Sequence, residues 1–262
     1  MVFRSEGRGC AVLKDRTVMI TGASSGIGAA TARYVAARGA AVVLMARRED
    51  KLKALAGEIT AAGGRALACP GDVTSAEDVR GVVAAAVDSF GSLDAAFNNA
   101  GWGTAGARLH ELSEDVYDRI MDVNVRGTWN CLRQQIPVML AGNGGGAIVN
   151  TSSIAGQFAT GAAAPYVAAK HAVIGMTKAA AAEYGEQGIR VNALVVGTTR
   201  TELMEGVIEQ YPEVEKQAVA RTVQRRMAEP LEIARAAAWL LSDDSSFVTG
   251  AAVPVDGGCS AV

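Results

Sequence analysis

Histidine is scarce in this 262-residue chain, with only His110 and His171 present, and that excludes a histidine-rich metal site; no metal is expected. The four cysteines, Cys10, Cys69, Cys131 and Cys259, are scattered without metal-like or redox-like pairing. Reduced, structural thiols are the expectation. No charge of one sign dominates: 27 acidic residues face 25 basic ones. The pairs Arg47-Arg48 and Arg225-Arg226 are too short to form a basic patch, so neither nucleic acid nor an anionic membrane is an expected partner. Apolar residues make up 50% of the chain, yet no run approaches the length of a membrane span. Met1–Lys14 mixes charge with glycine and lacks the apolar core of a signal peptide. Residues 1–13 are read as a poorly ordered leader, and a cytoplasmic location is expected by default.

What is present is a rhythm. Short β-rich runs fall at Thr17–Thr21, Ala41–Ala46, Ala66–Cys69, Asp94–Asn98, Ala147–Thr151, Arg190–Val195 and Ala252–Val255. Between them lie stretches with helical apolar spacing at Ile27–Arg38, Glu49–Ala62, Ala76–Phe90, Glu114–Leu140, Tyr166–Tyr184 and Leu231–Leu241. Alternation of this kind predicts an α/β chain, a doubly wound parallel sheet of about seven strands with helices on both faces. One domain over residues 14–262 is expected. Thr198–Arg226 breaks the rhythm, and a long excursion in a compact α/β chain predicts a lid.

Thr21-Gly22-Ala23-Ser24-Ser25-Gly26-Ile27-Gly28 follows the first strand and opens the first helix. Glycines allow positive φ and close approach of backbone to a ligand. The helix start then offers unpaired N–H groups to a pyrophosphate. The spacing differs from Gly-x-Gly-x-x-Gly but serves the same physics. Inside it, Gly22-Ala23-Ser24-Ser25-Gly26 also fits Gly-x-Ser-x-Gly, so a serine hydrolase using Ser24 is an alternative from another reaction class. That mechanism needs a histidine late in the chain, and none follows His171.

Tyr166 and Lys170 stand four apart behind Pro165, a residue suited to a first helical turn. A free tyrosine ionises near pH 10; a neighbouring ammonium stabilises the phenolate and brings it toward proton-transfer work. Ser152-Ser153 close the fifth strand, at the carboxyl end where parallel sheets bind ligands. A serine hydroxyl there can fix a reacting oxygen. Asn124 lies in the long helix before it.

Together these motifs resemble the short-chain dehydrogenase/reductase family from about Leu13 to Gly258. The resemblance rests on Thr21–Gly28, Asp72-Val73, Asn98-Asn99-Ala100-Gly101, Asn124 in Val-Asn-Val-Arg-Gly, Tyr166-x-x-x-Lys170 with Ser153 thirteen residues earlier, and Val255-Asp256-Gly257-Gly258. It implies a Rossmann-like fold and hydride transfer between a nicotinamide dinucleotide and a carbonyl or secondary alcohol. By the resemblance, Ser153 orients the substrate oxygen, Tyr166 transfers the proton and Lys170 holds the ribose and tunes Tyr166. Asn124 positions a water that relays protons from Lys170. Gly22, Ser24, Ser25, Gly26, Ile27 and Gly28 cradle the dinucleotide; Asp72 and Val73 meet its adenine; Asn99, Ala100 and Gly101 lie beside it. Gly197 and Thr198 approach the carboxamide, although Val196 stands where the family usually carries proline. The family also implies a homo-tetramer or dimer through Glu114–Leu140 and Tyr166–Tyr184.

The second strand ends at Ala46-Arg47-Arg48. An acid at Ala46 would suit NAD, whereas Arg47 suits the 2′-phosphate of NADP, so NADP(H) is favoured and NAD(H) is the alternative. Glu49 and Asp50 complicate that choice, although a helix start attracts acids anyway. Trp102, Gln157, Phe158 and Ala159 are expected to line an apolar substrate pocket for a small carbonyl or alcohol.

Overall fold

A computed structural model describes residues 13–104, 107–142, 144–159 and 161–261. Seven strands form one parallel sheet: β1 (Thr17–Thr21), β2 (Ala41–Ala46), β3 (Arg65–Pro70), β4 (Ala95–Asn98), β5 (Gly146–Ser153), β6 (Ile189–Val196) and β7 (Ala252–Val255). Their spatial order is β3-β2-β1-β4-β5-β6-β7, with Ile20 opposite Leu44 on one side and Phe97 on the other. The order reverses between β1 and β4, and the crevice outside the strand ends at such a switch point is where ligands bind.

Side chains alternate across each strand, so one run serves two cores. Val18, Ile20, Val42 and Leu44 face α1 (Gly26–Ala36), α2 (Glu49–Ala61) and α9 (Pro230–Leu241). Met19, Val43 and Met45 face α3 (Ala76–Phe90), α5 (Gly127–Ala141) and α6 (Ala164–Tyr184). Both faces of the strands are covered, which is why they read as continuous apolar runs rather than alternating ones. Most of the expected leader lies outside the described residues; its last member, Leu13, is buried in the first core. Cys69, Cys131 and Cys259 are free thiols, and Cys10 lies outside the described residues.

Two elements differ from the sequence expectation. The single helix expected over Glu114–Leu140 is α4 (Glu114–Met121), a π-helical turn at Asp122–Arg126, and then α5. Such a turn inserts a residue into the helical repeat and often marks a functional site. Here it buries Asn124, whose backbone carbonyl accepts a hydrogen bond from Thr128 Oγ1 at 2.7 Å. The 198–226 excursion contains two helices, α7 (Glu202–Gln210) and α8 (Glu213–Arg221). Its base is stapled shut by Arg200 N donating to Ala228 O (2.9 Å) and Ala228 N to Thr198 O (3.0 Å).

Among the described residues, no helix is long and apolar enough to cross a membrane, and no group of three or more His, Cys, Asp or Glu side chains is placed to hold a metal ion.

Candidate active site

The loop after β1 depends on its glycines. Gly22 and Gly26 have φ of +66° and +52°, and a Cβ at Gly28 would collide with the Gly22 carbonyl. Thr21 Oγ1 accepts from the backbone N–H groups of Asn99 and Ala100, both at 3.0 Å, which pins the end of β4 against this loop. The Ser25 side chain does not cap α1, leaving the first-turn amides for a ligand.

At the end of β2 the two arginines diverge. Arg47 stands 3.9 Å from Asp72 and is largely exposed. Arg48, which the sequence reading passed over, reaches across the glycine loop. Its guanidinium donates to Ser24 Oγ (3.0 Å) and Ser25 Oγ (2.7 Å), and to Glu202 Oε2 on α7 at 2.8 Å. Glu49 and Asp50 occupy the first turn of α2, where Glu49 pairs with Lys53; neither lines the cavity described below. Ser24 therefore faces an arginine, not a base, and no histidine is among the residues lining the cavity.

Behind β4 and β5 lies the Ser-Tyr-Lys-Asn cluster. Burial decides which serine does what. Ser152 Oγ donates to the Lys170 carbonyl (2.9 Å) and anchors α6; the half-buried Ser153 lines the cavity with Tyr166. Lys170 Nζ donates to the Thr151 carbonyl at 3.0 Å and sits 5.4 Å from the Tyr166 ring centre. Burial lowers the Lys170 ammonium to about 8. It also pushes the Tyr166 phenol up, with the Ser153 hydrogen bond acting in the opposite direction. The expected downward pull of Lys170 on Tyr166 is not among the causes; desolvation, which penalises either charged form, sets the direction. Asn124 Nδ2 donates to the Trp102 (2.6 Å) and Ile120 (2.8 Å) carbonyls. That aims its Oδ1 toward Gly101, where a Cβ would lie 3.1 Å from Asn124 Oδ1 and 3.4 Å from Lys170 Nζ.

One cavity of about 670 Å³ joins these parts, running from Arg47 and Arg48 to Tyr166, a size that suits an organic cofactor with a substrate. Asp72, Val73, Asn99, Ala100, Gly101, Gly197 and Thr198 line it with the glycine loop, apart from Gly28, whose part is packing. Trp102 lines it too, with Arg119 stacked 4.0 Å over its ring. Gln157, Phe158 and Ala159 stay outside its wall; Leu203, Met204, Val207 and Val214 from α7 and α8 supply the apolar side instead. Val196 at the usual proline position simply extends the ladder opposite Val255, and Gly197 passes too close to the Asp256 backbone for any Cβ.

Known proteins are similar to this chain in sequence and fold. A family model described as enoyl-(acyl carrier protein) reductase matches residues 22–260. The chain is 54% identical to the A-factor type gamma-butyrolactone 1′-reductase (1S-forming) of Streptomyces virginiae, over 94% of this chain and 96% of that one. It is 42% identical to the 2,5-dichloro-2,5-cyclohexadiene-1,4-diol dehydrogenase of Sphingobium indicum, over 95% and 99% of the two chains. The crystal structure of a short-chain type dehydrogenase/reductase from Mycobacterium marinum superposes with a TM-score of 0.90 at 33% identity, covering 96% and 98%. This chain is a short-chain dehydrogenase/reductase.

As a short-chain dehydrogenase/reductase it is an oxidoreductase of CH–OH and C=O groups, and the family implies a nicotinamide dinucleotide cofactor. The residues present fit that group. Asn124 Oδ1 and Thr151 Oγ1 are buried polar atoms with no hydrogen-bond partner among the described residues, and the Thr151 carbonyl holds the Lys170 ammonium expected to meet a ribose. Gly103 is a further site residue of this dehydrogenase/reductase that the sequence reading missed. A Cβ there would stand 2.6 Å from the Tyr166 ring, and the only signal was its place in Gly101-Trp102-Gly103.

Proposed function

We propose that this enzyme reduces a ketone on an apolar-substituted ring or chain, reversibly, with NADPH as hydride donor and Tyr166 as proton donor. The observation that carries the reading is the convergence of Ser153, Tyr166 and Lys170 on one end of the cavity, with the Lys170 ammonium 5.4 Å from the Tyr166 ring centre. Two hydroxyls that line the same end of one cavity can both reach one substrate oxygen.

Bound along the glycine loop, the dinucleotide supplies the hydride. Ser153 and Tyr166 hold the carbonyl oxygen by hydrogen bonds, and Tyr166 gives it a proton as the carbon gains hydride. Burial keeps Tyr166 in the protonated form this direction needs. Lys170, brought to about 8, returns a proton to the phenolate site at near-neutral pH. Asn124 Oδ1 accepts from a water that replenishes it. Trp102, Leu203 and Met204 exclude bulk water and favour an apolar substrate, with α7 and α8 acting as a lid. The name of the Streptomyces relative supports a ketone adjoining a γ-butyrolactone as the first substrate to test. Arg47 and Arg48, with Ser24 and Ser25, support the 2′-phosphate of NADP(H) at the end of β2. Exposed Trp129 and Leu140 on α5 support a homo-tetramer or dimer through that face.

A second reading, NAD-dependent oxidation of a secondary alcohol, has one observation in its favour: Arg48 is already paired with Glu202. One experiment tests both. Purified protein is titrated with NADPH and NADH and assayed on ketones and alcohols, with Tyr166→Phe alongside. Tighter NADPH binding is expected, with Tyr166→Phe losing about 10²–10⁴-fold in turnover while still binding cofactor. Near-normal turnover in Tyr166→Phe would overturn the proton-transfer role, and a preference for NADH would favour the second reading.

A further inference from the structure

Arg48 and Glu202 lie 154 positions apart in the chain, yet their side chains meet at 2.8 Å. Both are about half-exposed, so solvent and ions reach the pair. Arg48 has three distinct engagements: Ser24 and Ser25 on the glycine loop take Nε and Nη2, and Glu202 takes Nη1. Glu202 is the first residue of α7, and Thr201 Oγ1 caps that helix by accepting from Met204 N at 3.2 Å. A Cβ at Gly26 would lie 3.1 Å from the Thr201 methyl, so the start of α7 rests on the glycine loop itself. A helix start favours an acid by its dipole, and Glu205 supplies a second acid in the same turn. The dipole does not explain why Glu202 points at Arg48. The contact holds the Glu202 carboxyl below the usual carboxylate range, with the Arg48 hydrogen bond the largest cause.

A guanidinium presents its donors as a planar fork matched to an oxyanion, whether carboxylate or phosphate. We infer that Glu202 is a cofactor-selectivity residue acting through Arg48: its carboxylate occupies the guanidinium that a 2′-phosphate would use. Binding of a 2′-phosphorylated dinucleotide exchanges one anion for the other and frees the start of α7. A dinucleotide with a free 2′-hydroxyl leaves the Arg48–Glu202 pair in place. Glu202 is thus a positioning residue that opposes NADP(H) and is neutral toward NAD(H), supplied by the segment that also presents Leu203 and Met204 to the cavity. This rests on the proposed placement of the adenosine ribose at the end of β2.

The test is a double-mutant cycle on cofactor affinity. Dissociation constants for NADPH and NADH are measured for wild type, Glu202→Gln, Arg48→Gln and the double variant, with thermal unfolding as the folding control. Glu202→Gln is expected to tighten NADPH about three- to tenfold and to leave NADH within roughly twofold. In the Arg48→Gln background the same change is expected to have no effect on NADPH. Equal movement of both dinucleotides would make Glu202 a mere support for α7, and unchanged or weaker NADPH binding would remove the competition; either overturns the inference. Selective tightening that persists without Arg48 would overturn the route through that side chain. The wild-type NADPH/NADH ratio separately tests the cofactor reading, since the shift caused by Glu202→Gln is read whichever dinucleotide wild type prefers.

Discussion

Tyr166 and Lys170 share a helix face, and the same burial moves their proton affinities in opposite directions, because each loses solvation in its charged form. For Lys170 the shift is also a statement about stability. Its folded value is about 8, against about 10.4 in an unfolded chain. Between those values the unfolded state binds more protons, so stability rises with pH. Below about 8 the buried ammonium costs its full penalty, and above about 10 the tyrosine begins to work against it. Lys170→Met is therefore expected to flatten the rise in unfolding free energy between about pH 8 and pH 10, measured by urea titration. A wild-type profile already flat there would refute the buried-ammonium account. At this scale much of the candidate site was legible. Ser153, Tyr166, Lys170 and Asn124 were found because they sit in short motifs on defined elements. Arg48 was missed because adjacency to Arg47 says nothing about which of two long side chains turns back over the glycine loop.

Elements carry a second set of constraints. The loop between β1 and α1 tolerates no side chain at Gly28, since the clash is with backbone rather than a side chain able to rotate away. Gly28→Ala is expected to cost about 1–3 kcal/mol in stability and to weaken dinucleotide binding at least about tenfold, measured by urea unfolding and cofactor titration. Gly57→Ala is the contrast: nothing lies within 4 Å of its Cβ position in α2, and a gain of about 0.5–1 kcal/mol is expected. Equal losses in both variants would mean that glycine content, not the Gly22–Gly28 contact, decides the loop. Outside 198–226, strand and helix positions were readable to within two residues at most ends, because short apolar runs and a period of 3.6 are local properties. The π-helical turn at Asp122–Arg126 was not, since its cause is the buried seat that Asn124 takes between the Trp102 and Ile120 carbonyls. The expected pocket residues Gln157, Phe158 and Ala159 failed to reach the cavity wall for a related reason. A short helical turn at Ile154–Gly156 carries the chain away from it.

Across the whole molecule, one buried polar network joins four elements. Asn98 Nδ2 donates to Asn150 Oδ1 (2.9 Å) and Gln135 Oε1 (3.0 Å), and Gln135 Nε2 returns a bond to Asn98 Oδ1 (2.8 Å). Asn150 Nδ2 donates to Thr177 Oγ1 (3.0 Å), which ties β4 and β5 to α5 and α6 behind the Ser153–Tyr166 pair. Asn150→Ala leaves buried partners unsatisfied on both sides, so a loss of about 2–3 kcal/mol is expected by urea unfolding, with the NADPH/NADH affinity ratio unchanged. A loss well below about 1 kcal/mol would mean that the network is not closed as described. By itself the sequence determined the strand and helix rhythm, the glycine loop and the order of the candidate-site motifs, because each depends on residues close together in the chain. Only the tertiary structure decided that Asn98 bonds Asn150 and Gln135, that Asn124 is buried by a π-turn, and that Arg48 meets Glu202. Those contacts join positions with no shared period, brought together by packing both faces of one sheet at once.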